Sequence, residues 1–284
     1  MRAQIRDIVT RELAPTATAS DPGGLAAAVY AGGELTFFSY GFADGTKRPV
    51  TPDTLFNLAS LRKIFEATLV ALGTERGELG LDDPVGKILP ELHGDYISRV
   101  TIGELVAHTS GLLLPTDHPP WPDESISRDQ FIAMLNAWTP QAGEQPGKQR
   151  IYSHAGYVLL QLVLERRYRL PIGALIEGRI LKPLGMTSTF IPDRGEDNRA
   201  VLGPPIMRLM VQGYSDQGVP IGPPGNQQSY FDFAGTGQMF SSARDLGTFI
   251  RACLDGAVID PDLRAALEMK IGRASCRERV LMPV

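Results

Sequence analysis

Apolar residues at Ile5, Ile8, Val9 and Leu13 recur at helical spacing and predict an amphipathic helix over residues 1–14. Two strand-like runs, 25–31 and 34–40, then flank Gly32-Gly33. A two-residue hairpin turn needs positive φ at both positions, which glycine supplies, so this segment predicts a β-hairpin. Asp44-Gly45 and Thr51-Pro52-Asp53 read as turns. From Ser60 the period is helical: Leu61, Ile64, Phe65, Thr68, Leu69 and Leu72 fall on one face, and Gly77 suits a C-terminal cap. Thr101 to Glu104 and Ser127 to Gln130 fit the capping box, the second one opening a helix with Phe131, Met134, Leu135 and Trp138 at core spacing. Residues 158–164 are apolar nearly all round, which predicts a deeply buried helix, and Pro171 fits a first helical position ahead of Ile172, Leu175, Ile176 and Ile180. Leu246, Phe249, Ile250, Cys253 and Leu254 predict a core-facing stripe that buries Cys253. Residues 190–233, rich in Gly, Pro and Asp, read as long loops with short strands at most. One hairpin does not make a stable sheet, so further strands are expected, after residue 270.

Composition narrows the class. The 284 residues are 43% hydrophobic and 21% charged, with a net charge of −4 and no long basic run. Nucleic acid is therefore not an expected partner, nor is a membrane surface. No stretch approaches the roughly 20 apolar residues of a membrane span. Residues 1–7 carry charge with no apolar run behind them, so they are not a signal peptide. The chain as written points to the cytoplasm, or to the periplasm or exterior if a signal lies upstream. Cys253 and Cys276 are too few for a disulfide framework. Residues 271–280, Ile-Gly-Arg-Ala-Ser-Cys-Arg-Glu-Arg-Val, break every amphipathic period and resemble a translated sequencing adapter. The expectation is one domain over 1–270, incomplete at its C-terminus and without turnover as it stands, followed by a non-native tail over 271–284.

The chemistry starts at Ser60-Leu61-Arg62-Lys63, a Ser-x-x-Lys that opens an amphipathic helix. Positions i and i+3 are neighbours on a helix, so the lysine can reach the hydroxyl. A serine is a weak nucleophile until a base takes its proton, and a desolvated lysine can serve. Free N–H groups at a helix start suit a developing oxyanion. Alone, the tetrapeptide is as compatible with a solvated helix start.

Its surroundings are more specific. Phe56-Asn57-Leu58-Ala59-Ser60-x-x-Lys63 is followed by Gly77-Glu78-Leu79-x-Leu81-Asp82-Asp83-Pro84-Val85, Leu105-x-x-His108-Thr109-Ser110-Gly111-Leu112 and Tyr152-Ser153-His154-Ala155-Gly156-Tyr157. Lys182-Pro183-Leu184-Gly185-Met186-Thr187-Ser188-Thr189 and the segment 235–246 complete a series that, over about residues 20–255, resembles the class C β-lactamase and penicillin-recognising family. The resemblance implies that Ser60 is the nucleophile, Lys63 its partner, and Tyr152 a phenol or phenolate sharing acid and base work. It also implies that the Ser60 N–H forms half of an oxyanion hole, the other half coming from a strand not found in this sequence. Two departures stand out. The family usually has Asn where His154 stands, an Asn that orients the lysine and binds the substrate amide. The family's Lys- or His-led Thr/Ser-Gly triplet is absent, and Gly235-Thr236-Gly237, preceded by Ala234, is expected to be structural.

His108 beside Ser110 is expected to pack a loop, because neighbours in one chain rarely meet as base and nucleophile. Arg62 is expected to project away into solvent. No Gly-x-Ser-x-Gly elbow, phosphate loop or metal-ligand spacing of His93, His108, His118 and His154 is found, so neither cofactor nor metal is expected. The implied fold is an α/β sandwich of the serine β-lactamase/transpeptidase type: an antiparallel sheet flanked by helices, plus an all-helical region, with its last strands missing. The implied function is acyl transfer by a monomer through acyl-Ser60, on a β-lactam, ester or peptidoglycan-like peptide, with catalytic Ser60, Lys63 and Tyr152 and substrate-binding His154. Carboxylesterase and D,D-peptidase activities are alternatives within the family; a non-catalytic binding protein that keeps the fold is an alternative outside enzymes.

Overall fold

The computed structural model describes residues 2–13, 23–118, 120, 124–140, 147–193, 200–215, 217–221, 231–233 and 238–256. Gly235-Thr236-Gly237, Cys276 and the whole 271–284 segment lie outside them. In chain order the elements are α1 (Arg2–Leu13), β1 (Gly24–Ala31), β2 (Glu34–Gly41), β3 (Leu55–Asn57), α2 (Arg62–Glu75), α3 (Val85–Ile88), α4 (Ile102–Val106), α5 (Arg128–Ala137), α6 (His154–Tyr168), α7 (Ile172–Ile176), α8 (Lys182–Leu184), α9 (Pro204–Met207), β4 (Phe240–Ser242) and α10 (Ala243–Leu254). They divide into two compact units: Met1–Ala59 with Leu181–Gln228 and Gly237–Asp255, and Ser60–Ile180 with Ser229–Thr236 and Gly256–Val284. No helix among the described residues is long and apolar enough to cross a membrane.

The first unit holds the strands. β1 and β2 form the expected antiparallel hairpin, running from Gly24↔Gly41 to Ala31↔Glu34. Gly32 (φ 60°) and Gly33 (φ 80°) are both left-handed, as the tight turn requires. β3 pairs with β4 through Leu55↔Ser242, Phe56↔Ser241 and Asn57↔Phe240. Leu55, Met210 and Phe240 form a core closed by Phe190, Leu202 and Ile206, so the described part of the predicted loop region contributes apolar anchors and a short helix. α10 packs on the hairpin through Gly247, where a Cβ would stand 3.0 Å from that of Ala28. Here the sequence expectation is corrected. The buried face is Ala243, Asp245, Gly247, Phe249 and Ala252, whereas Ile250 and Leu254 are exposed and Cys253 is a half-buried thiol. The helix is rolled inward on small residues and on Asp245, whose Oδ2 accepts from Ser188 N (2.8 Å) and Thr189 Oγ1 (2.7 Å).

The second unit is helical. α6 is buried from Ala155 to Leu164, as its apolar run predicts, and both capping boxes are formed. Pro171 sits one position before the first turn of α7, with Ile172, Leu175, Ile176 and Ile180 buried behind it. On α2, Phe65, Thr68, Leu69 and Leu72 are buried, and Gly77 (φ 65°) follows its end. Two expectations fail on this helix. Ile64 is 47% exposed, and Arg62, expected in solvent, is 1% exposed. The reason is a polar seam against α6: Arg62 donates to Glu66 Oε1 (2.9 Å) and Gln161 Oε1 (2.8 Å), and Gln161 donates on to Glu165 (3.0 Å). A buried guanidinium needs such partners, and satisfying them turns Ile64 outward.

Candidate active site

Ser60 lies in a single 3₁₀ turn, Ala59–Leu61, that runs directly into α2. Ala59 before it has φ 45°, a left-handed conformation unusual for a residue with a Cβ, and its N–H donates to Asn57 Oδ1 at 2.8 Å. Nothing in the sequence signals that strain. Ser60 caps nothing: the residue at the cap of α2 is Leu61, without a side-chain cap. Instead Lys63 Nζ donates to Ser60 Oγ at 3.2 Å. Lys63 is 5% exposed, while Ser60 is half-buried and reachable from outside.

The Lys63 ammonium lies 5.0 Å from the ring centroid of Tyr152 and 5.6 Å from that of Tyr157. Tyr152 is 43% exposed and enters α6, whose first residue is His154; their rings meet edge to face at 5.2 Å. Ser60, Lys63, Tyr152 and His154 thus form one chain of contacts. Burial, with Lys63 adding to it and Asp117 opposing, holds the His154 imidazole below its usual pKa, so it is neutral at pH 7. The start of α6 is held by two side chains. Ser153 Oγ accepts from Gly156 N (2.8 Å), and Asp117 Oδ1 accepts from His154 N and from Ala155 N (3.2 Å). A carboxylate there suits the positive end of the helix.

Sequence reasoning missed three neighbours, Asp117, Tyr157 and Glu66, and part of the setting of a fourth, His108. Asp117 is 37 residues before its partner, too far for any local pattern. Tyr157 is buried with its hydroxyl donating to Val106 O (3.0 Å), and burial pushes its pKa up, so it remains a phenol. Glu66 lies one turn beyond Lys63; burial raises its carboxyl against the opposing pull of Arg62 and Lys63. His108 packs a loop as expected, but that loop is the support of Tyr152, its ring 4.6 Å from the Tyr152 ring. Among the described residues no cluster of His, Cys, Asp and Glu could hold a metal ion.

A family model for beta-lactamases matches residues 10–275. Among curated proteins, the chain is 32% identical over 218 residues to a beta-lactamase of Pseudomonas fluorescens, covering 76% of this chain and 57% of that protein. It is 29% identical over 249 residues to one of Lysobacter lactamgenus, covering 86% and 59%. The chain therefore spans less than two thirds of the length of these relatives. Among solved structures, a D-alanine carboxypeptidase AmpC from Burkholderia cenocepacia superposes with a TM-score of 0.73 at 31% identity, covering 94% of this chain and 69% of that one. A class C beta lactamase from Rhodobacter sphaeroides gives 0.68 at 29%, covering 94% and 68%. The α/β fold of the serine β-lactamase type expected from the sequence is the fold of these neighbours.

Proposed function

This chain belongs to the beta-lactamase family, and on that premise we propose that it is a serine hydrolase working through a covalent acyl-Ser60 intermediate. The observation that carries the proposal is the 3.2 Å hydrogen bond from a buried Lys63 to a reachable Ser60 hydroxyl. In this scheme Ser60 Oγ attacks the acyl carbon and its proton passes to whichever of Lys63 and Tyr152 is deprotonated. The oxyanion is received by the Ser60 N–H at the start of α2. The bond to the leaving amine or alcohol then breaks as the proton is returned to it, and water cleaves the acyl-serine in the second half. Residues 1–270 as one β-lactamase-like domain belong to the same proposal, supported by the family match over 10–275. The test is labelling of the full-length protein with a fluorescent penicillin and a fluorophosphonate, followed by peptide mapping. An adduct on Ser60 is expected; an adduct on another serine, or none with either probe, would remove the assignment.

For substrate class we propose an ester, over a cephalosporin. Where the family has an amide side chain this protein has a neutral imidazole, with one donor and one acceptor. A lost polar contact to the substrate typically costs about 1–3 kcal/mol, or roughly 5- to 150-fold. His154→Asn should raise β-lactam turnover relative to ester turnover by a factor in that range. A parent enzyme that already prefers cephalosporins strongly would count against it.

A further inference from the structure

His108 follows α4 and has φ 57°, a conformation that would ordinarily be given to glycine. Holding a residue with a Cβ there costs on the order of 1 kcal/mol, so the side chain should have a use that glycine could not serve. The contacts supply one. The His108 carbonyl accepts from Ile151 N at 2.7 Å, and its ring Nδ1 accepts from Ser153 N at 3.1 Å. The residues on both sides of Tyr152 are therefore tied to the same histidine. Its ring also lies between two tyrosines, 4.6 Å from Tyr152 at 34° and 4.8 Å from Tyr157 at 35°.

We infer that His108 is a positioning residue for Tyr152, clamping the backbone on either side of the phenol while its ring supports the phenol's face. This rests on the reading of Tyr152 as a participant in acyl transfer. An Nδ1 that accepts must leave the ring proton on Nε2, so the clamp needs the neutral imidazole. Burial, then the charges of Lys63 and Arg150 and the neighbouring His154, hold the His108 pKa down to about 3, which keeps Nδ1 an acceptor at any pH where the enzyme would work. The same facts disqualify His108 as a general base, since its available lone pair is occupied by an amide.

The experiment uses the full-length protein with His108→Phe, which keeps a ring and removes the acceptor, and His108→Asn, which keeps an acceptor and tolerates a left-handed backbone. Steady-state ester hydrolysis is measured alongside hydrogen exchange at the Ser153 amide. His108→Phe should lower kcat by about 10- to 100-fold with KM little changed, and should speed Ser153 exchange. His108→Asn should recover most of both. Parental kcat in His108→Phe, or unchanged exchange at Ser153, overturns the inference. If the phenylalanine variant does not fold, the asparagine variant decides: a protected amide with near-parental kcat supports the clamp, and an unprotected amide with near-parental kcat overturns it. A parent that takes no label on Ser60 brings down the acyl-transfer proposal itself, whereas a labelled parent indifferent to His108→Phe loses only the clamp.

Discussion

α10 and α2 each follow a strand of the β3–β4 pair, and each carries a serine at its entrance with a charged residue three positions on. At α10 these are Ser242 and Asp245. Ser242 Oγ accepts from Asp245 N (3.2 Å), and the carboxylate is a negative charge at the positive end of a helix dipole, satisfied by Ser188 and Thr189. At α2 they are Ser60 and Lys63, and each local rule is broken. The serine caps no helical N–H, a cation sits in the first turn, and the residue before the serine is left-handed. The sequence spacing is identical. The backbone differs: Ser242 is the extended cap residue of α10, whereas Ser60 lies in a 3₁₀ turn one position before the cap of α2, where its hydroxyl meets Lys63 Nζ instead of a helical N–H. Violated stability rules concentrated at one helix entrance are what the proposed role of Ser60 and Lys63 leads one to expect.

The comparison breaks most sharply under removal of the two hydroxyls. Ser60→Ala should lower hydrolysis by at least about a thousandfold and abolish labelling, yet leave the thermal melt nearly unchanged, because Ser60 caps nothing. Appreciable turnover in that variant would place the nucleophile elsewhere. The next effect is one of pH. His108 titrates near 6.5 when unfolded but only near 3 when folded, so the unfolded chain binds the proton first as pH falls. Its contribution is fully present above about pH 6.5 and is lost progressively toward pH 3, by on the order of 4 kcal/mol. Denaturant titrations of the parent and of His108→Asn across that window should diverge from each other in slope; parallel curves would show that the imidazole is not held neutral. Asp245→Ala should cost about 2–3 kcal/mol of stability by stranding Ser188 N and Thr189, with activity per folded molecule preserved. Smallest, Ser242→Ala should cost about 1 kcal/mol and leave Ser60 labelling stoichiometric. Loss of labelling in either α10 variant, with folding retained, would erase the contrast between the two helix entrances.

What the sequence made legible was local. The Gly32-Gly33 hairpin, the capping boxes at Thr101 and Ser127 and the all-apolar α6 each follow from residues within a few positions of one another, and each stands in the structure. Ser60 with Lys63 belongs to the same class, one helical turn apart. The misses share a different cause. Arg62 is buried because of Gln161, 99 residues on; α10 is rolled because of Ser188 and Thr189; Asp117 caps a helix 37 residues later. Amphipathic periodicity treats a charged residue as outward-facing, and only a distant partner reverses that. The left-handed backbone of Ala59 was equally illegible, since alanine rarely adopts positive φ; histidine does so more often than most residues, but that tendency alone does not single out His108.

The Arg62–Glu66 pair has a bearing on how this protein can change over generations. Both side chains are 2% exposed, and Glu66 Oε2 has no hydrogen-bond partner among the described residues. Losing either member alone strands the opposite charge inside the helical unit, at a cost of about 3–5 kcal/mol, whereas exchanging both for apolar residues of similar volume can be neutral. The two positions therefore form a ratchet: single steps are closed, and only a paired step is open. Among natural descendants of this sequence, positions 62 and 66 should be inherited together or replaced together, and Gln161, whose buried Oε1 would lose its donor, should change with them.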